Sequence, residues 1–357
     1  MTVVSFERFC SNWKTKLETK WPEEEQFCIY IANPFCRKIC SFCIYKSSII
    51  SRDRYQKYYG EYLPDLISRL NPIIDLRVPD TFYFGGGTAS LMDEDTMHRI
   101  FNAFSNLVLT KYKCFEANPA SLSKTKIDVL AEYGFTEISL GVQTFDIDML
   151  TSQGRELASI QEISELVSYA AGRNIFVNVD LLTNYEADYE KSAARLANDL
   201  LLVEQLINPG KLTIYPRYAA YYSADREHRV RQIRNIRNCI RSFCERSTYS
   251  VNPELVRVDS EDDILAYGII DYHVYNTASK VKAPHNRYNC SAPGFLKKPQ
   301  NVIGIGGYAN MVPYSYIWKE KQWYMINHHW QPILVENQFN DGTPVNRSSV
   351  INGSDSK

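Results

Sequence analysis

Cys36, Cys40 and Cys43 stand at Cys-x3-Cys-x2-Cys spacing within FCIYIANPFCRKICSFCIYK, residues 27–46. Thiolates are soft ligands suited to zinc and to iron–sulfur centres, and three so close in sequence can ligate one compact inorganic centre. A [4Fe–4S] cluster is normally held by four cysteines, so a triplet leaves one iron open to another ligand. On spacing alone, a structural zinc site or three ordinary thiols near a core fit as well. The run Phe27, Ile29, Tyr30, Ile31 ahead of Asn33-Pro34 predicts a strand, which puts the triplet on a loop at its C-terminal end.

Further polar or glycine residues recur at the ends of apolar runs. Gly85-Gly86-Gly87-Thr88 follows the strand predicted over 81–84. Glycines there let backbone approach a ligand closely, with free N–H groups near a helix start, although a tight turn reads the same way. Glu116 closes the run 112–116, and Gln143 closes Ile138-Ser139-Leu140-Gly141-Val142-Gln143. Asp180 lies in Asn178-Val179-Asp180-Leu181, and Arg155 follows Gln153-Gly154. Caps and buried structural networks also use such residues.

The elements that must position these residues alternate. Strands at 81–84, 112–116, 137–142, 175–182 and 211–215 follow the first one, and helices near 53–70, 93–107, 123–133, 159–171, 189–206 and 226–246 intervene. Strands alternating with helices of this length call for a parallel sheet. Six such units predict an α/β fold, a partial (βα)6 TIM-like barrel, whose chemistry belongs on the loops at the strand C-terminal ends. The expected organisation is a helical lead-in over 1–26, the barrel over 27–246, a smaller irregular, aromatic-rich region over 247–336, and a polar, flexible tail over 337–357.

With 45% hydrophobic and 23% charged residues, the 357-residue chain has the composition of a soluble globular protein. Its net charge of −1 provides no global basic field for nucleic acid. The first twenty-one residues alternate charge with apolar side chains, unlike a secretory signal or a membrane span. Nine cysteines, an odd number, without a signal peptide predict a reducing compartment rather than a disulfide framework. A cytoplasmic protein without nucleic-acid or membrane partners is expected.

Taken in order, these strings resemble the radical S-adenosylmethionine (radical SAM) superfamily. Tyr30-Ile31-Ala32-Asn33-Pro34-Phe35-Cys36 narrows this to the oxygen-independent coproporphyrinogen III oxidase-like branch, which also holds haem chaperones and radical methyltransferases. Gly85-Gly86-Gly87-Thr88 is similar to the family's Gly-Gly-Gly-Thr-Pro, with Ala89 in place of proline. Glu116-Ala117-Asn118-Pro119 through Leu122, and Ser139-Leu140-Gly141-Val142-Gln143-Thr144-Phe145, match nearly residue for residue. The resemblance implies a [4Fe–4S] cluster on Cys36, Cys40 and Cys43, with the fourth iron chelating the amino and carboxylate groups of SAM. It implies one SAM or two, bordered by Tyr30 and Phe42. Gly86, Gly87 and Thr88 would hold the methionine end, and Glu116, Gln143, Arg155 and Asp180 would contact SAM or a second copy. An electron from the cluster would then cleave the S–C5′ bond to give a 5′-deoxyadenosyl radical, with flavodoxin or ferredoxin as donor and a small-molecule or peptide-derived substrate.

The substrate side departs from the family. After Asp180 the chain reads Leu181-Leu182-Thr183-Asn184-Tyr185-Glu186, where the family has Leu-Ile-Tyr-Gly-Leu-Pro-Gly-Gln, and Tyr45 stands where the oxidase has a further cysteine. These differences favour a tailoring enzyme or methyltransferase over a porphyrinogen decarboxylase. A haem chaperone without radical turnover is the alternative, and His285-Asn286-Arg287-Tyr288 carries only part of the chaperones' His-Asn-x-x-Tyr-Trp string. Gly304-Ile305-Gly306-Gly307-Tyr308-Ala309 looks like the family's late glycine motif beside the adenine. Arg226, Arg229, Arg231, Arg234, Arg237 and Arg241 read as a solvated helix face, with an anionic substrate as the sharper alternative; Tyr215, Tyr218, Tyr221 and Tyr222 read as packing.

Overall fold

The computed structural model describes residues 6–22, 25–43, 47–183, 188–216, 225–258, 260–261, 271–283, 300–306, 314–319 and 322–327. Six strands form the parallel centre: β1 (Gln26–Asn33), β2 (Thr81–Gly86), β3 (Tyr112–Ala117), β4 (Glu137–Gln143), β5 (Phe176–Thr183) and β6 (Lys211–Pro216). They lie side by side in chain order. Helices fill the crossovers, as parallel pairing requires: α1 (Phe6–Glu18) precedes β1, and α2 is a continuous helical run over Arg52–Tyr55, Gln56–Tyr62 and Leu63–Ile74. Then follow α3 (Glu94–Asn102), α4 (Lys124–Glu132), α5 (Ile147–Ser152), α6 (Ile160–Gly172), α7 (Tyr189–Leu202) and α8 (Arg226–Arg246). This is the partial (βα)6 barrel expected from the sequence.

The later strands extend the same sheet at both edges. β7 (Tyr249–Ser250) and β8 (Tyr272–Asn276) run on antiparallel beyond β6. On the opposite side β9 (Gln300–Gly306) pairs with β1 in parallel, so a seventh parallel strand flanks the cysteine-bearing one. β10 (Tyr314–Lys319) and β11 (Gln322–Asn327) continue antiparallel from β9. The His285 string, Gly307 to Ala309, Tyr218, Tyr221, Tyr222, residues 184–187 and the tail over 337–357 lie outside the described residues.

Why these segments are strands is plain from burial. Phe27, Ile29, Ile31, Phe82, Phe84, Phe115, Val179, Leu181, Leu212 and Ile214 are all inaccessible to solvent, and each such side chain contributes about 2–3 kcal/mol of burial free energy. Trp13 of α1 meets Phe27 with ring centroids 5.8 Å apart, which seats the lead-in helix on the first strand.

The middle of α2 differs from the regular helix expected there. Residues 56–62 are π-helical, and Leu63 N–H donates to Tyr58 O, five residues back. Pro64 sits in the first turn of the following α-helical part and has no N–H with which to continue a regular ladder. The widened turn buries Tyr59 beside Tyr58, and both hydroxyls then reach the end of β1. Tyr58 donates to Ala32 O at 2.6 Å and Tyr59 to Asn33 Oδ1 at 3.1 Å. Gly306 lies at φ +79°, where a Cβ would collide with the Tyr58 hydroxyl, so glycine is needed at that end of β9.

Five of the seven arginines on α8 (Arg226, Arg231, Arg234, Arg241 and Arg246) are exposed, as a solvated face requires, and Arg229 is half-buried. Arg237 breaks the pattern. It is fully buried, donating through Nε to Tyr272 Oη at 3.2 Å and through Nη1 to Arg257 O at 2.7 Å. Its role is to tie α8 to β8, a role hidden by its place in a row of like residues.

Candidate cofactor site at the strand C-terminal ends

Cys36, Cys40 and Cys43 occupy the loop after β1, with Cys36 and Cys40 half-buried and Cys43 exposed. Phe35–Cys36 makes a short parallel bridge with Ser48–Ile49, which closes the loop at its base. Cys36 Sγ receives a hydrogen bond from Thr88 Oγ1 at 3.4 Å and lies 3.1 Å from Ser47 Oγ. Cys40 Sγ accepts from Arg155 Nη1 at 3.7 Å, and Phe42 lies half-buried beside Cys43. Among the described residues, no three His, Cys, Asp or Glu side chains converge as a closed metal-binding group. The donor chemistry nonetheless suits an iron–sulfur cluster: three thiols on one short loop, all reachable at the open end of the barrel. By contrast, Cys28 and Cys114 are buried in the sheet.

The loop is held from two sides. Segment 153–156 grips it: Ser41 N–H donates to Gln153 O at 3.0 Å, Ser41 Oγ bonds Gln153 Oε1, and Arg37 faces Glu156 at 3.3 Å. The glycine loop after β2 grips the other side. Gly87 N–H donates to Asn33 O at 2.6 Å and Thr88 N–H to Phe35 O at 2.8 Å. A Cβ on Gly87 would lie 2.6 Å from Phe35 O, so only glycine lets the two loops approach this closely. Asn33 Nδ2 completes the latch by donating to Gly85 O at 2.9 Å.

This corrects one expectation. The glycine loop does not offer free N–H groups to a ligand: Gly87 and Thr88 donate to the β1 loop, and Gly86 N–H donates to Glu116 Oε2 at 3.1 Å. Nor does a long helix start there, since Ala89–Leu91 is a single 3-10 turn. Gly86 and Gly87 therefore shape the loop, and Thr88 joins it to Cys36.

Glu116 points across the barrel mouth with its carboxylate held twice, by Gly86 N–H and by the Tyr83 hydroxyl at 2.6 Å from Oε1. Burial pushes its pKa up to about 7 against the lowering effect of the Tyr83 bond. Asp180 receives Ser139 Oγ at 2.9 Å, Asn178 Nδ2 at 2.6 Å and Tyr215 Oη at 3.4 Å. Burial raises its pKa to about 6. Thr213 extends this network by donating to Asn178 Oδ1 at 2.8 Å. Buried carboxyls raised in this way mark Glu116 and Asp180 as candidates for a functional site.

Gln143 sits at a β-bulge with φ 76°, a left-handed conformation uncommon for a residue other than glycine. Such strain persists only where the surroundings over-determine it. Here Asp199 of α7 accepts Phe145 N–H at 2.9 Å, and Arg195 pairs with Asp146. The twist turns the Gln143 side chain back over Gly141, where a Cβ would stand 2.9 Å from Gln143 Nε2 and 3.2 Å from Arg155 Nη2. Arg155 also donates to Gly141 O, so it bridges the β4 tip and the Cys40 loop.

Tyr30 stacks on Tyr83 with centroids 5.6 Å apart and planes 17° from parallel. Tyr30, Glu116 and Asp180 thus lie in the C-terminal halves of β1, β3 and β5, Gln143 closes β4, and Arg155 joins the β4 end to the Cys40 loop. Two members escaped sequence reasoning. Tyr83 looks like one aromatic in an apolar strand, and Tyr215 looks in the sequence like packing although its hydroxyl reaches Asp180. Tyr215 carries a positional signal one residue from the end of β6, whereas Tyr83, third of six in β2, carries none.

Residues 30–198 match the radical SAM superfamily, so the chain carries a radical SAM domain. Within that class it is similar to proteins of the oxygen-independent coproporphyrinogen III oxidase-like branch. The heme chaperone HemW of Bacillus subtilis is 32% identical over 133 residues, which cover 35% of this chain and 34% of the chaperone. The oxygen-independent coproporphyrinogen III oxidase of Cereibacter sphaeroides is 31% identical over 135 residues, covering 36% of this chain and 29% of the oxidase. The matched segment spans only about a third of these relatives. Among solved structures, the Escherichia coli coproporphyrinogen III oxidase HemN, a radical SAM enzyme, superposes with a TM-score of 0.60 at 16% identity, over 87% of this chain and 68% of HemN. That likeness shows the fold. No helix among the described residues is long and apolar enough to cross a membrane.

Proposed function

We propose that this chain is a radical SAM enzyme that binds a [4Fe–4S] cluster through Cys36, Cys40 and Cys43 and cleaves SAM reductively to act on a substrate still to be identified. The observation that carries this reading is the convergence on one barrel mouth of the thiol loop, the latched glycine loop and two carboxyls with raised pKa. When bound, the cluster supplies the electron that breaks the S–C5′ bond of SAM.

The chain's own residues orient and enclose. Thr88 and Arg155 fix the sulfurs of Cys36 and Cys40 from opposite sides of the loop. Glu116 and Asp180 provide acceptors for ribose hydroxyls or a cationic group of SAM, at the cost of burying carboxylates that burial disfavours. The Gln143 amide and the Tyr30 ring close the remaining sides. An electron donor such as flavodoxin or ferredoxin is required by the chemistry.

The departures at Tyr45 and after Asp180 favour tailoring or methyl transfer over porphyrinogen decarboxylation. The second reading, a haem-binding chaperone without radical turnover, is favoured by the similarity to HemW. Reconstitution without oxygen, followed by SAM and a reductant, separates these readings. 5′-Deoxyadenosine alone is expected for hydrogen abstraction, and 5′-deoxyadenosine with S-adenosylhomocysteine for methyl transfer. Stable haem binding with neither product would overturn the enzyme reading in favour of the chaperone.

A further inference from the structure

We infer that Tyr83 is a positioning residue of the SAM site, holding the Glu116 carboxylate with its hydroxyl and the Tyr30 ring with its own. The inference rests on the reading of this mouth as a SAM pocket. Nothing in the resemblance assigns Tyr83 a role.

The geometry is specific. The Tyr83 hydroxyl donates to Glu116 Oε1 at 2.6 Å, while Gly86 N–H donates to Oε2 at 3.1 Å, so each carboxylate oxygen has its own donor. The Tyr83 ring meanwhile lies nearly parallel to Tyr30. One side chain on β2 therefore fixes groups on both neighbouring strands, β1 and β3. Gly85 makes this possible: a Cβ there would stand 2.8 Å from Tyr83 Cε1 and 2.9 Å from the Glu116 carboxyl carbon. The glycine run thus serves a second purpose, clearing space for a tyrosine–glutamate pair above the sheet.

The pair's electrostatics make it testable. Burial drives the Tyr83 phenol well above its ordinary pKa, with the Glu116 charge adding to the effect, so it remains a proton donor. Burial raises Glu116, and the Tyr83 bond opposes that rise. The other titratable groups facing the pair are Asp180 on β5, which raises Glu116 further, Tyr215 on β6, and Cys114 on β3 itself. None of these is a cation. The Tyr83 hydroxyl is consequently the side-chain donor that favours ionised Glu116, and removing it shifts the balance toward the protonated carboxyl, whose O–H oxygen is a poor acceptor.

The test compares wild type, Tyr83→Phe, Glu116→Gln and the double variant as full chains. Carboxyl infrared titration without SAM, with Glu116→Gln assigning the band, is expected to show the Glu116 midpoint moved to higher pH in Tyr83→Phe. An unmoved midpoint overturns the inference whatever binds at the site. Equilibrium SAM binding to the reconstituted protein across pH 6–9 is expected to show the same displacement. For a midpoint moved by one pH unit, Tyr83→Phe binds about fivefold more weakly at pH 7 and recovers at pH 9. Glu116→Gln should give a flat profile that the second substitution barely changes. A pH-independent loss in Tyr83→Phe would show a merely structural tyrosine and overturn the inference alone. Wild-type protein that binds no SAM at any pH would overturn the proposed function, and this use of Tyr83 with it.

Discussion

The two ends of the barrel treat buried charge in opposite ways. At the base, Lys211 lies 3.6 Å from Glu137; burial would lower its pKa, but Glu137, Tyr275, Asp180 and Cys114 together outweigh burial and raise it. Lys113 donates to Leu107 O and Thr110 O at 3.1 and 2.6 Å, capping the carbonyls of the turn below β3. Each base charge is matched by an opposite charge or by carbonyls. At the mouth, Glu116 and Asp180 bring two like charges near one another, held directly by neutral donors, and burial raises both pKa values although Lys211 draws that of Asp180 down. Charge at the base serves the fold. Charge at the mouth opposes it, and under the proposed function a bound SAM cation would offset that cost.

Substitutions at the two ends should therefore separate stability from binding. The largest effect is expected for Lys211→Met, which strands Glu137 and should cost about 3 kcal/mol of folding stability in denaturant titration. Glu116→Gln should do the reverse, leaving the unfolding midpoint at pH 8 equal to or above wild type while weakening SAM binding at least tenfold, as for a lost charged hydrogen-bond acceptor of about 1.5–3 kcal/mol. If Glu116→Gln destabilised the chain as much as Lys211→Met, the contrast between the ends would fail.

The pH dependence of stability sharpens the same point. In the folded state burial holds the Glu116 proton up to about pH 7, against an ordinary value of 4.5. Wild-type stability should thus decline as pH rises from about 4.5 to 7 and level off beyond, since the folded state binds more protons in that window. Thermal melts of Glu116→Gln should show a shallower decline. A wild-type stability that rises across this range would contradict the assignment of Glu116 as a buried, raised carboxyl.

The smallest effect is expected at the rim. Arg37 is 49% exposed in its pair with Glu156, and exposed pairs contribute little. Arg37→Ala should shift stability by under about 1 kcal/mol and leave iron content unchanged. A large loss of iron would mean that this pair, rather than the backbone bond from Ser41 to Gln153, sets the cysteine loop.

Much of the scaffold is legible in the sequence because its signals are local. Each central strand except β4 is a short apolar run stopped by Gly, Asn or Pro, and α8 follows the apolar spacing Val230, Ile233, Ile236, Ile240. The pairing of β9 beside β1 is not legible, since it joins Gln26 to Gln300 across most of the chain. The Asn33 latch is hidden for the same reason: its partners, Gly85 O and Tyr59, come from separate segments. The glycine run announces close approach but not the direction of its N–H groups. Tyr83 and Arg237 are concealed by their neighbours, one among aromatics and the other among arginines.

The loop from Cys36 to Cys43 is the proposed seat of an iron–sulfur cluster. The most direct measurement of this is the iron and sulfide content of anaerobically reconstituted protein, in wild type and in Cys36→Ala, Cys40→Ala and Cys43→Ala, with circular dichroism confirming the fold. About four irons per chain are expected in wild type, with loss of the cluster in each variant and an unchanged melting profile, because none of the three thiols is buried in the core. Iron content that survives all three substitutions would contradict the assignment of the site.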